Sequence, residues 1–314
     1  MQGPQAAILG AGDRLHLHHG PIDLIIGADA EKPGARQVAF EAAHQRFQTI
    51  LEGLVEGLVQ HRSQLTPRTP APADPVAQRM YQAAGPSCEQ SFVTPMIAVA
   101  GAVADEILAA MCSAVPLQRA YVNNGGDIAV HLSEDTEYLV AMAQVDGSDL
   151  GRIRFTSADG IRGIATSGRL GRSHSLGVAD SVTVLAATAA QADVAATLIA
   201  NAVDLPDCPD IIREPASDLS PDSDLGARLV VTGVPLLKAA DCKAALEAGH
   251  TQAQSMLFLD QIKGAALFLQ GQNITVGQGF SQSQYITELE DVRVGSAQNR
   301  LECRRDLPRR RSPS

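Results

Sequence analysis

The chain has 314 residues, 45% apolar and 19% charged, the make-up of a folded globular protein rather than a disordered one. A formal net charge of −10 argues against a general binder of phosphate backbones, and 4% aromatics with no Trp leaves no stacking platform for single-stranded nucleic acid. Five scattered cysteines (Cys88, Cys112, Cys208, Cys242 and Cys303) form no CxxC pair, which fits reduced thiols better than a disulfide framework or a zinc site.

The opening residues, MQGPQAAILGAGDRL, lack the basic-then-apolar order of a signal peptide. No run of about twenty apolar residues stands out as a membrane span, so the expectation is a cytoplasmic chain with no membrane partner. Residues 14–28 read as two strands around a turn at His19-Gly20-Pro21. His16 and His18 fall on one strand face, but no third ligand of matching type is near them. From 35 to about 61, Phe47, Ile50, Leu51, Leu54, Val55, Leu58 and Val59 recur at three- and four-residue steps and predict one long helix packed on the core. Residues 65–75, LTPRTPAPADP, predict an irregular connector. A helix rich in Ala and Gly follows from about 96 to 114, its small side chains allowing close approach to another helix or a ligand. Residues 119–122 and 128–132 read as strands joined by a tight turn at Gly125-Gly126. Further strands are expected at 137–144 and 151–155.

Residues 162–204 hold most of the side chains able to do chemistry. A small-residue turn, Ala165-Thr166-Ser167-Gly168, leads into a loop running from Gly171 through Arg172 and His174 to Gly177. An apolar β-branched strand, Ser181–Ala186, comes next, then a small-residue helix carrying Asp193 and Thr197. Four residues apart, those two share a helix face. A carboxylate and a hydroxyl so placed can supply two oxygens to a hard cation such as Mg2+. The same residues also allow a plainer role, with Asp193 stabilising the first turn of its own helix and Thr197 simply buried. Beyond 204 come a polar, proline-rich loop to 226, a strand at 227–232, a helix from about 238 to 262 and a hairpin around Gly271-Gln272-Asn273. The basic tail, 301–314, is expected to be disordered.

Four segments, in order, resemble the ApbE family, the FAD:protein FMN transferases. The run from Tyr121 to Ile128, YVNNGGDI, is similar to its Asn-x-Gly-Gly-Asp-Ile segment, and Ala165-Thr166-Ser167-Gly168 to its Ala-Thr-Ser-Gly. Ser181-Val182-Thr183-Val184, Ala192-Asp193 and Thr197 resemble its Ser-Val-Thr-Val, Ala-Asp and following Thr. The nearest branch carries Gly-Arg-Ser-His-Ser in place of His-x-x-Asp-Pro-x-Thr-Gly; here that stretch runs from His174 to Asp180. A second departure is Ala100-Gly101 ahead of Asp105, where transferases carry Lys-Gly.

The resemblance implies an α+β fold of antiparallel sheets flanked by helices, with the motifs meeting in a central cleft. It implies one domain over residues 1–300, with 65–75 and 204–226 as irregular connectors. Mg2+ and FAD are the implied cofactors. Asp193 and Thr197 would be the metal ligands, helped by a backbone carbonyl near Val99 or Ala100. Asn124, Gly125, Gly126, Asp127, Thr166, Ser167 and Gly168 would bind the nucleotide. His174 would act as general base and Arg172 would steady a phosphate or carboxylate through its fork. In such transferases a protein Thr or Ser hydroxyl attacks the phosphorus of FAD and AMP leaves. That suggests FMN transfer to an acceptor protein, or hydrolysis of FAD to FMN and AMP. Two alternatives stay open: the same scaffold acting on another small molecule through the His174 loop, and a non-catalytic flavin or nucleotide carrier. Small-residue helices are compatible with a symmetric homodimer.

Overall fold

The computed structural model describes residues 3–143 and 147–281. The chain opens with three strands, β1 (Gln5–Leu9), β2 (Arg14–His19) and β3 (Ile22–Asp29). In β2 and β3, Leu15, Leu17, Ile22, Leu24 and Ile26 alternate inward, as the period-two pattern requires. The predicted helix over 35–61 is three pieces: α1 (Ala35–Phe47), α2 (Ile50–Glu56) and α3 (Leu58–His61). Gly57, between the last two, leaves helical geometry, and a Cβ there would stand 2.5 Å from Nε2 of His61, whose ring packs in the vacant space. The apolar stripe does not stay buried to its end: Val55, before the break, and Val59, after it, are 49% and 77% exposed.

The 65–75 connector ends at α4 (Pro75–Ala84), a helix absent from the sequence reading although its signals are present. Pro75 occupies the first helical position, and the Asp74 carboxylate accepts the Ala77 N–H at 2.9 Å. A single 3-10 turn at Pro95–Ala98 then leads into α5 (Val99–Ala114). Together, contrary to the reading of the sequence, Pro95–Ala114 is one segment long and apolar enough by composition to cross a membrane. Here it packs within the fold, with Ala102, Val103, Ala104, Ile107 and Met111 fully buried.

Strands β4 (Arg119–Asn124), β5 (Asp127–Leu132), β6 (Glu137–Ala143) and β7 (Asp149–Thr156) follow, then β8 (Gly163–Ser167), β9 (Ser181–Ala186) and helix α6 (Ala189–Ala202). The stretch expected to be a loop from 204 to 226 contains β10 (Ile212–Pro215) and α7 (Ala216–Leu219). β10 pairs with β11 (Leu229–Gly233) in a separate ribbon that the polar composition concealed. Helix α8 (Ala239–Phe258) leads to β12 (Gly264–Leu269), β13 (Gln272–Gly277) and β14 (Phe280–Ser281). The expected basic tail lies outside the described residues.

Nine strands form one sheet in the order β1-β2-β3-β4-β5-β8-β9-β12-β13, each neighbouring pair antiparallel. Helices α1, α5, α6 and α8 cover one face in a large core, while β14, β7 and β6 form a second sheet over the other. That second core is built from Ile128, Val130, Ile164 and Phe268 against Tyr138, Val140, Ile153 and Phe155. The molecule is α+β, as the motifs implied.

Candidate functional site

Helices α5 and α6 lie so close that a Cβ on Gly101 would stand 2.3 Å from the Ala189 carbonyl oxygen. Glycine at 101 permits the approach, and each helix then supplies the carboxylate at the other's N-terminus. Oδ2 of Asp193, on α6, accepts the Gly101 N–H at 3.0 Å, and the Ala100 N–H also bonds this carboxylate. Asp105, on α5, accepts from Ala189 at 3.0 Å and Ala190 at 2.9 Å through its two oxygens. Orphan amides of two first turns are satisfied reciprocally. Asp193 is therefore an N-terminal carboxylate, but for α5 rather than for its own helix.

The sheet meets this crossing at the β4–β5 turn, where Gly125 and Gly126 take φ of 67° and 117°. Those left-handed angles suit glycine. Asn123 Oδ1 accepts the Gly126 N–H at 2.9 Å and closes the turn. Asn124 Nδ2 reaches across and donates to the Ala100 carbonyl at 3.1 Å, one of the two, Val99 or Ala100, near which the resemblance expects a metal-binding carbonyl. Asp127 accepts the backbone N–H of Thr166.

The expected turn at 165–168 is instead the end of strand β8, and the chain turns only at Gly168, with φ of 142°. Strand alternation then separates two residues expected to act together. Ser167 faces the helices and accepts a long bond, 3.4 Å, from the Thr197 hydroxyl. Thr166 faces the second sheet, its hydroxyl 3.0 Å from that of Thr183, so only its backbone joins the cluster.

Burial holds the Asp127 and Asp193 carboxyls toward their protonated forms, and at Asp193 the neighbouring carboxylates add to it. Desolvation raises Asp127 to about 7, against the Thr166 amide and the Arg172 charge. Asp193 lies well above the usual carboxylate range, from desolvation first and then from the charge of Asp127, with the Gly101 and Ala100 amides pulling the other way. Arg172 lies with Nη2 1.9 Å from where a Gly125 Cβ would be, and has no hydrogen-bond or ion-pair partner among the described residues. His174, at the same loop tip, is exposed and likewise bonds to none of them. The expected base is thus not drawn into the carboxylate cluster.

Oxygen donors dominate here: the Asp193 and Asp127 carboxylates, the Thr197 and Ser167 hydroxyls and the Ala100 carbonyl. That set suits a hard cation such as Mg2+, which keeps waters and takes phosphate oxygens. Among the described residues no three His, Cys, Asp or Glu side chains gather as a metal site, so a cation would draw on the hydroxyl and carbonyl oxygens as well. A groove of about 220 Å3, lined by Arg79, Asp105, Cys112, His131 and Arg162 among others, borders the crossing at Asp105 but contains none of the residues expected to do chemistry. Asp105, Asn123 and Asp180 stand in segments singled out in the sequence, but their roles, the amides Asp105 caps, the turn Asn123 closes and the Arg169–Asp180 pair 2.5 Å apart, are seen only in the fold.

A family model described as AbpE bacteria matches residues 6–275. The chain belongs to this ApbE-like family. It is 43% identical over 136 residues to a UPF0280 protein of Methanopyrus kandleri, covering 43% of this chain and 52% of the relative. A UPF0280 protein of Methanothrix thermoacetophila is 35% identical over 159 residues, 50% of this chain and 63% of the relative. The chain thus spans between half and two thirds of the length of these curated relatives. The crystal structure of the ApbE protein from Thermotoga maritima matches with a TM-score of 0.45 and 12% identity, over 86% of this chain and 96% of that one.

Proposed function

We propose that this ApbE-like chain is a Mg2+-dependent enzyme acting on a flavin nucleotide. It would either transfer FMN from FAD to a hydroxyl of an acceptor protein or hydrolyse FAD to FMN and AMP. The observation that carries the reading is the meeting of Asp193, Thr197, Ser167, Asp127 and the Ala100 carbonyl from four elements, beside the Arg172 guanidinium, whose charge acts on Asp127. When bound, the cation would neutralise pyrophosphate charge, the main demand of phosphoryl chemistry. Asp193 and Thr197 would hold it, with the Ala100 carbonyl, which already accepts a bond from Asn124, as a further oxygen donor. Arg172 would grip a phosphate oxygen. In the step itself the oxygen of a hydroxyl or water bonds to the FMN phosphorus, the phosphoanhydride bond breaks, and AMP carries away the bridging oxygen. The exposed His174 imidazole would take the proton on the side from which the acceptor arrives.

One observation favours a second reading, a different small molecule on the same scaffold. Two amides already bond Asp193, which draws on its capacity for a cation. Incubation of the purified chain with FAD and Mg2+, with AMP measured by chromatography, separates the readings. Asp193→Asn serves better than Ala, because it keeps an acceptor for the Gly101 N–H while removing the charge. AMP release that needs Mg2+ and falls at least a hundredfold in Asp193→Asn, on the scale of losing a key electrostatic group, is the expected result. FAD binding without AMP, with or without candidate acceptor proteins, would mark a carrier; no FAD binding would abandon the flavin reading.

A further inference from the structure

The loop from Gly168 to Asp180 is pinned at its feet and free at its tip. At the feet, the Arg169 N–H donates to the Ala179 carbonyl at 2.9 Å, and the Asp180 N–H to that of Phe268 at 2.9 Å. The Arg169 guanidinium lies 2.5 Å from Oδ1 of Asp180, whose Oδ2 accepts the Gln270 N–H at 2.5 Å. One buried carboxylate, 7% exposed, therefore ties the loop to the turn between β12 and β13. Further along, Val178 N–H bonds Val203 O at 2.8 Å, Leu176 N–H bonds Asn201 Oδ1 at 2.9 Å, and Ser175 O accepts from Val231 at 2.8 Å. Between Arg169 and Ser175 the only backbone bond among the described residues is Gly171 N–H to Gly168 O, at 2.9 Å. In that free span Arg172 lies against Gly125, where any Cβ would displace its guanidinium.

Desolvation of a buried ion pair consumes much of its attraction, so stability alone is a weak reason for one; fixing a single arrangement is a better-attested use. A flexible arginine held in its binding geometry loses less freedom when its ligand arrives. We propose that Asp180 is a positioning residue: through Arg169 and Gln270 it sets the loop so that Arg172 stands over the Gly125-Gly126 turn as a preset receptor for a phosphate group. The proposal rests on the nucleotide reading above, and it names phosphate as the group that the loop tip recognises.

The test is a double-mutant cycle in calorimetric titrations of the full chain with inorganic pyrophosphate and Mg2+. Arg172→Ala is expected to weaken binding about tenfold or more, the scale of a lost charge-assisted bond. Asp180→Asn is expected to weaken it about three- to fivefold, as preorganisation is lost, and to cost nothing further once Arg172 is gone. A merely structural residue would give the same loss on both backgrounds, and that result overturns the proposal. So does unchanged affinity in Asp180→Asn, or in Arg172→Ala while the wild type binds; the nucleotide reading then stands without it. Absence of binding by the wild type overturns both. Melting curves identify the folded variants, and Arg169→Lys, which keeps the charge but loses the fork, replaces Asp180→Asn in the cycle if that variant does not fold.

Discussion

A carboxylate facing two helical amides is held by them as an anion, yet burial resists the charge. At Asp105 burial prevails and the pKa rises to about 6, despite the Ala189 and Ala190 amides and the charge of Arg79. The folded chain therefore keeps a proton there that the unfolded chain releases near pH 4. The stability this confers is complete at lower pH and is lost as pH climbs through 6. Asp105→Asn accepts only one amide bond, so it should cost about 1–2 kcal/mol. The wild type's advantage over it should be larger at pH 4.5 than at pH 7; equal differences in melting temperature at both would refute the shift. The spacing of Asp193 and Thr197 was readable because a helix repeats every 3.6 residues. The separation of Thr166 from Ser167 was not, because 165–168 read as a turn until strand alternation placed the two hydroxyls on opposite faces.

At the scale of elements, the α5–α6 crossing depends on one missing side chain. Gly101→Ala would drive a methyl group into the Ala189 carbonyl and the Ala190 nitrogen, at 2.3 and 2.7 Å, and backbone cannot swing aside as a flexible side chain does. A loss of about 3 kcal/mol is expected, at the upper end for overpacking. Gly85 is the control: it is helical, with nothing but its own chain neighbours near its absent Cβ, and because Pro86 follows it Gly85→Ala should cost something, but less than Gly101→Ala. Denaturant midpoints for the pair decide the matter, and a fall of similar size in both would discount the close crossing. Small-residue composition marked α5 and α6, while apolar periodicity ran straight through Gly57 in the 35–61 stripe, since it cannot see a histidine that fills the glycine's place. It also passed over α4, whose Asp74 and Pro75 announce a helix more plainly than its apolar residues do.

Over the whole molecule, the sheet carries two cores that meet only through its strands. The site lies at the helical face, and the second sheet presses Phe155 against Tyr138, ring centroids 5.9 Å apart, on the other. Phe155→Ala should cost about 3–5 kcal/mol by leaving a cavity, while pyrophosphate affinity at low temperature stays unchanged. Weakened binding in the folded variant would show that the two faces are coupled. The sequence made the strands at 137–144 and 151–155 visible in outline, but not that they leave the main sheet. Alternation tells which side of a strand is buried and is silent about what buries it.

The exchange of carboxylates between α5 and α6 has a consequence for synthesis. The acceptor for Gly101 arrives 92 residues later in the chain. At roughly 5–20 residues per second that is an interval of about 5–20 seconds. Throughout it, the apolar segment Pro95–Ala114 has left the ribosome before α6, one of the helices that cover it. The newborn chain thus displays a hydrophobic surface that its folded form conceals, and a chaperone has that interval in which to find it.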